Sequence, residues 1–252
     1  MLKKHLARDL LIKRYLYSLN FMLEILYQDE QLIAINKPHG LLVHRSSLAA
    51  DAEEFALQLL RNQIGRWVNP VHRLDRKTSG ILVFALDKDT EVLMHKQFAA
   101  NQVKKNYLAI VRGHTPDSAT IDYALRKENG ALQEALTNYT TIKRAEIDLP
   151  FGKHSTSRYS LVEAVPETGR MHQLRRHFAH INHPIIGDRP HGCNKQNKLF
   201  KDTYNMTSMM LHASEISFDH PVLKMRVKIE APLQSEFKRM MQIMGWELSG
   251  LL

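Results

Sequence analysis

The chain has 252 residues, 44% hydrophobic and 24% charged, which suits a globular protein of one large or two small domains. Its formal net charge of +9, before 14 histidines are counted, points to an anionic partner, nucleic acid ahead of a membrane surface. The single Cys193 excludes an internal disulfide and a cysteine zinc cluster and agrees with a reducing cytoplasm; no apolar stretch approaches the roughly 18 residues that span a bilayer.

Residues 1–21 form a basic N-terminal extension, with Lys3, Lys4, Arg8, Lys13 and Arg14 against Asp9. Leu2, Leu6, Leu10 and Leu11 give it a partial helical stripe, but Ser18 and Asn20 interrupt the apolar part, which argues against a signal peptide. A basic arm on nucleic acid and an upstream start codon, with Met22 opening the domain, both fit. Residues 22–252 read as one domain. Strands are predicted at 23–27 and 32–36, with a turn at Lys37-Pro38-His39-Gly40. Asp51 and Glu54 resemble a capping box for a helix that carries Phe55, Ala56, Leu59, Leu60 and Ile64 on one face. A loop at 72–80 precedes a short apolar strand, 81–86. Asp89 opens a helix with Val92, Leu93 and Phe98 apolar, and 107–111 is a strand.

The polar region 120–153 shows only short strands, and 158–165 is a strand. Glu167-Thr168-Gly169 turns the chain into a helix holding His172, Leu174, Phe178 and Ile181. Residues 184–192 are a loop, and 195–202 are basic and without regular structure. Strands follow at 209–213, 216–218 and 223–229, then a helix with Leu233, Phe237, Met240, Met241 and Met244 on one face. Strands outnumber helices and follow one another through tight turns. That pattern predicts an α+β fold, a mixed, mainly antiparallel sheet flanked by a few helices.

Four stretches could carry chemistry. His72-Arg73-Leu74-Asp75-Arg76-Lys77-Thr78-Ser79-Gly80 holds one carboxylate among three cations. Nearby positive charge favours the ionised form, which suits a nucleophile or base; a surface turn with local ion pairs is the plainer account. In 104–113, Tyr107, Ala109 and Val111 share a strand face, so Tyr107 is either a core aromatic or a phenol that stacks on a base and moves a proton. In 168–177, Arg170 and Arg175 are five residues apart and do not share a helical face; a basic helix facing solvent or phosphate also accounts for them. Leu211-His212-Ala213 is a fourth, weaker candidate, nearly as well read as core. His172, His177, His180 and His183 are close in sequence, but Arg170, Arg175 and Arg176 would repel a dication and there is no HExxH pattern, so no metal site is expected.

The 72–80 stretch resembles the central motif of the RluA-type pseudouridine synthases, whose HRLD segment carries the catalytic Asp. Lys105 to Gly113 fits that family's K-x-Y-x-A-x-V-x-G pattern, His172-Gln173-Leu174-Arg175 its HQLR segment, Pro184-Ile185-Ile186-Gly187-Asp188 its third block and Leu211-His212-Ala213 its L-H-A segment. The likeness covers residues 23–245, nearly the whole chain after the extension. Lys77 departs from it, standing where proline is common, and residues 1–21 have no counterpart. The resemblance implies the pseudouridine synthase fold with a catalytic cleft. It also implies a catalytic Asp75, a Tyr107 that stacks on uracil and helps remove the C5 proton, and an Arg175 that grips Asp75 in two places. Arg73 would enter the space left by the flipped base, Leu211 would pack beside uracil and Arg170 would contact substrate. The implied reaction isomerises a uridine in RNA with no metal and no organic cofactor, and the enzyme is expected to be a cytoplasmic monomer that binds no membrane. The segments Gly40-Leu41-Leu42-Val43-His44-Arg45-Ser46, 173–177 and 183–188 resemble tRNA-acting members, which implies uridine 65 of tRNA. A ribosomal RNA uridine is the alternative, and a non-catalytic RNA-binding domain a more distant one.

Overall fold

Two runs of residues too apolar to face water on either side sit at the centre of one half of the molecule. They are β2 (Leu32–Lys37) and β4 (Ser79–Ala85), and every residue of both is buried. The computed structural model describes residues 22–45 and 54–247. The basic extension 1–21, Ser46 and the Asp51 half of the capping box lie outside the described residues. β1 (Ile25–Gln28) pairs with β2, and α1 (Ala56–Ile64), β3 (Asn69–Pro70) and α2 (Lys88–Ala99) complete this half.

The second half contains β5 (Lys104–Arg112), β6 (Ser118–Asp122), the small β7 (Leu125–Arg126) and β8 (Leu132–Gln133) pair, β9 (Leu136–Ile147), β10 (Ser157–Pro166), α3 (Gln173–His180) and α4 (Asn194–Tyr204). β11 (Leu211–Asp219) joins the halves, and β12 (Arg226–Glu230) and α5 (Ser235–Ile243) close the chain. The main sheet runs β1-β2-β4-β11-β5-β10-β9-β6, with β12 on β11 and β3 on β4. All its pairings are antiparallel except β4 with β11. That one parallel contact requires a glycine. Gly80 lies opposite Ala213 at φ +105, and a Cβ there would stand 2.2 Å from the Ala213 carbonyl oxygen. The predicted α+β class and mainly antiparallel sheet are therefore present.

Each strand alternates its side chains between two cores. On β5, Leu108 and Ile110 join α4 and α5 through Phe200, Phe237, Met240 and Met241, while Ala109 and Val111 join α3 through Leu174 and Phe178. On β4, Leu82 and Phe84 meet Ala56 and Leu60 of α1, while Ile81 and Val83 meet Met94 of α2.

Several local expectations are corrected. Residues 195–202 lie within α4, eleven residues long. Phe200 is fully buried against the Tyr159 ring, and Gln196 donates to the Tyr159 hydroxyl at 2.7 Å, so tertiary contact stabilises a helix whose basic composition hides its buried face. β9 is one strand of twelve residues, paired on both sides, where the polar sequence suggests only short pieces. The 209–213 and 216–218 strands are a single β11 with an irregularity between Ala213 and Glu215, and β12 starts only at Arg226, after a turn in which Lys224 has φ 57. On α2 the cap is Asp87, which accepts from Thr90 N at 2.7 Å. Val92 and Leu93 are exposed there, whereas Glu91 is buried because Asn69 and Lys88 bind it at 2.6 and 2.9 Å. His172 precedes α3 as its N-cap and Ile181 follows it as its C-cap.

Candidate active site

The loop between β3 and β4 is stitched down at both ends. His72 Nε2 accepts from Val83 N at 3.1 Å, and its ring stacks on Phe98 with centroids 5.1 Å apart. Burial, with the charge of Lys105 next, pushes the His72 imidazole down to about 3, so it is neutral and its acceptor role holds. At the other end Arg76 O accepts from Gly40 N at 2.8 Å and from the Lys37 ammonium at 3.3 Å. Lys37 is fully buried and also donates to Leu41 O at 2.8 Å and Pro38 O at 3.0 Å. Burial pushes it down to about 7 against the opposing charge of Asp75. Three carbonyl acceptors match the three N–H bonds of an ammonium, so the cage itself favours the charged form. The turn predicted at 37–40 is thus tied to the loop that carries Asp75.

Asp75 meets its partner across 100 residues of chain. Arg175 Nη1 donates to Asp75 Oδ2 at 2.8 Å. The two-pronged grip expected for this pair goes elsewhere: Arg175 Nε and Nη2 donate to Asp188 Oδ2 and Oδ1 at 2.8 and 2.9 Å. The fully buried Asp188 takes the Nε/Nη2 edge of the guanidinium face on, and Asp75 takes Nη1 alone. Asp75 receives one bond and keeps its side chain 23% exposed, so it remains accessible to a ligand. Burial lowers the Arg175 pKa, but its bonds to Asp188 and Asp75 outweigh that and leave it raised. Asp188 is held in turn: its carbonyl accepts from Asn197 Nδ2 at 2.7 Å, and Gly192 fits over that carbonyl, where a Cβ would stand 2.1 Å away. His172, in the left-handed region at φ 54, brings Nε2 to 3.8 Å from Asp75 and Nδ1 to 3.0 Å from His191 Nε2. Burial lowers both imidazoles, opposed at His172 by Asp75 and at His191 by Asp188.

Gln173 fixes the entry to α3. Its Oε1 accepts from Thr168 Oγ1 and Arg170 N at 2.7 and 3.0 Å, and its Nε2 donates to Leu136 O and Thr137 Oγ1 at 2.9 and 3.0 Å. A buried amide that uses all of its bonding sites aligns helix, preceding loop and β9 as one unit.

Tyr107 lies mid-sheet, paired with Ala213 on β11 and Ala164 on β10, and touches the cores under both α1 and α3. Burial raises its hydroxyl pKa, and the charge of Asp75 raises it further, so the phenol is protonated at neutral pH. The six residues singled out in the sequence, Asp75, Tyr107, Arg175, Arg73, Leu211 and Arg170, all line one cavity of about 460 Å³. Arg73 is exposed at its rim, Leu211 is buried in its wall, and Arg170 is anchored by a bond from Nε to Glu134 O at 2.9 Å. The volume is that of a small-molecule site. Asp188, Lys37 and Gln173 were not singled out. The signal for Asp188 was present in the 184–188 block, but only the fold shows what its carboxylate holds.

The four closely spaced histidines diverge. His172 faces Asp75, His177 is buried between Thr137 Oγ1 and Tyr123 O, His180 stacks on Tyr123, and His183 meets Arg112 O at 2.7 Å. Among the described residues no three His, Cys, Asp or Glu side chains converge as a metal site would need, and no helix is long and apolar enough to cross a membrane.

Comparison with known proteins identifies the family. A family model described as RNA pseudouridylate synthase matches residues 31–180. The tRNA pseudouridine synthase C of Vibrio cholerae is 44% identical over 242 residues, 92% of this chain and 99% of its own length. The protein of the same name from Haemophilus influenzae is 44% identical over 237 residues, 90% of this chain and 99% of its own length. Among solved structures, human RNA pseudouridylate synthase domain containing 4 superposes with a TM-score of 0.68 at 25% identity, covering 89% of this chain and 94% of that one.

Proposed function

This chain belongs to the RNA pseudouridylate synthase family, and from that premise we propose that it isomerises one uridine of tRNA to pseudouridine. The observation that carries the proposal is Asp75, bonded to Arg175 at 2.8 Å on the wall of a cavity with Tyr107 and Leu211 beside it. We assign uridine 65 as the target and residues 22–252 as a catalytic unit that acts as a monomer. The tRNA in the names of relatives that cover nine-tenths of the chain supports the substrate class.

In this reaction the N1–C1′ bond breaks, uracil turns, a C5–C1′ bond forms, the C5 proton leaves and N1 gains a proton. Atoms and electrons balance within one nucleotide. The base must leave its stack to enter the cavity, and Arg73 at the rim is positioned to occupy the vacated space. Asp75 supplies the attacking carboxylate, at the sugar or at the base. Arg175 aims it while Nε and Nη2 remain on Asp188. Leu211 and the Tyr107 ring give uracil apolar surfaces to pack on. A phenol with a raised pKa is a poor resident base, so Tyr107 acts as a relay, accepting the C5 proton as it passes its own to an adjacent carboxylate.

The test is release of tritium from tRNA carrying uracil labelled at C5, followed by mapping of the product by chemical adduct and primer extension. Release with pseudouridine at position 65 supports the assignment in full. Product confined to ribosomal RNA overturns the tRNA target, and binding without release overturns the enzymatic reading.

A further inference from the structure

The loop that carries Asp75 faces two cavities. Asp75 and Thr78 line the first, while Lys77, between them in sequence, lines a second of about 590 Å³. The same division recurs at the far end of the ion network, where Asp188 grips Arg175 and the next residue, Arg189, opens onto the second cavity. α4 adds Lys198 and Lys201, three residues apart and so on one helical face. Against these four cations the lining holds one acid, Asp202, which Lys198 binds at 2.5 Å. Among the described residues the side chains of Lys77 and Arg189 form no hydrogen bond and no ion pair. The crowding acts on Lys77, whose pKa is lowered by burial first and then by the charge of Arg189, with Asp188 offsetting part of the effect. Lys77 is partly buried and Arg189, Lys198 and Lys201 are exposed, with Asp202 the one acid among them; gathered cations in such excess repel one another, and a bound anion relieves that repulsion.

We propose that this groove holds the phosphodiester backbone of the RNA strand within one or two nucleotides of the reacting uridine. The proposal rests on the functional reading above and adds the path of the strand. Two residues of chain keep the α-carbons of Asp75 and Lys77 within about 7 Å of each other, so, allowing for the reach of the lysine side chain into the second cavity, a phosphate on Lys77 lies near the nucleotide presented to Asp75. Arg189 offers a planar fork that suits a phosphate, and the lysines of α4 extend the positive track away from the cavity. The basic helix, whose residues 195–201 the sequence already offers as a phosphate grip, and Lys77, which stands where proline is common, thus serve one surface.

The test uses the full chain and an unmodified tRNA transcript. Lys77→Gln, Arg189→Gln and Lys201→Gln are compared, singly and combined, with Lys96→Gln on α2, which lines neither cavity. Each groove variant should weaken binding about three- to tenfold and reduce the slope of log K against log salt by about one, with kcat at saturating RNA within about twofold. Lys96→Gln should change neither. A transcript with neutral methylphosphonate linkages on both sides of the target should weaken wild-type binding by the same factor, and Lys77→Gln should lose nothing more on it. Unchanged binding and salt slope in a combined variant that melts like wild type overturns the proposal. So does full additivity of Lys77→Gln with the neutral linkages, or a wild type that does not bind tRNA. These ratios need no turnover, so a protein that binds tRNA without making pseudouridine overturns the functional reading alone.

Discussion

The chain of charges from Asp75 through Arg175 to Asp188 and the groove formed by Lys77, Arg189 and α4 lie side by side on the same two loops, and they are built in opposite ways. In the first, every charged group is matched: three guanidinium N–H bonds go to three carboxylate oxygens, with Arg175 and Asp188 both buried. In the second, among the described residues, Lys77 and Arg189 are left without a bond, and the one acid of the lining, Asp202, is bonded to Lys198. A matched network is rigid and holds a reacting group in one geometry. An unmatched one is a binding surface completed by its ligand. The two designs make different failures on mutation.

The largest effect is expected at the one exposed end of the matched network. Asp75→Asn keeps the shape and removes the attacking charge, so turnover should fall by a factor on the order of 10⁴ or more while tRNA binding and melting temperature persist. Tritium release above a few per cent of wild type would remove Asp75 from the chemistry.

Arg175→Met tests the matching itself. It strands two carboxylates, one of them fully buried, and should cost about 3–5 kcal/mol in urea unfolding as well as turnover. A stability loss below about 1 kcal/mol would mean that the network is ornamental.

Tyr107→Phe keeps the ring and removes the relay. Turnover should fall about 10²- to 10³-fold, with RNA affinity within about twofold of wild type. Near-normal tritium release would return Tyr107 to the role of a core aromatic.

Acid should add a charge that has no partner next to the cavity wall. His212, behind Leu211 on β11, is fully buried between Ser79 Oγ and Ala231 O, and burial pushes its pKa down to about 4, with its bond to Ala231 opposing. The folded value lies below the unfolded value of about 6.5, so between these the unfolded chain binds the extra proton and the slope of stability with pH is positive. Stability is complete above pH 6.5 and is lost as pH falls towards 4, by about 2 kcal/mol at pH 5 from this residue. Unfolding titrations at pH 7.5 and 5 should show the loss, and His212→Gln should flatten it; equal slopes in the two proteins would refute the assignment.

The smallest effect belongs to the unmatched side. Lys77→Gln removes a repelled charge and should leave unfolding free energy within about 0.5 kcal/mol of wild type, or raise it, although RNA binding weakens. A loss of 2 kcal/mol would show Lys77 to be a structural cation.

The local order of this chain follows from short-range rules. The all-buried β4, the turn at Lys37-Pro38-His39-Gly40 and the apolar face of α5 are readable because their signal is a period or a steric rule within a few residues. The six cavity residues are reached through the family resemblance of the stretches that hold them, since residue type and spacing alone leave each a core or surface alternative. What the sequence alone could not decide is which charges meet. Arg175 is equally able to fork onto Asp75 or Asp188, and only the folded arrangement sets which carboxylate lies face on. Residues 195–202 read as unstructured because their helix is stabilised by Tyr159, some 40 positions earlier, and not by their own propensity. Coulombic and packing energies depend on distance in space, and the distances that matter here, from Asp75 to Arg175 and from Lys77 to α4, close only when the sheet forms.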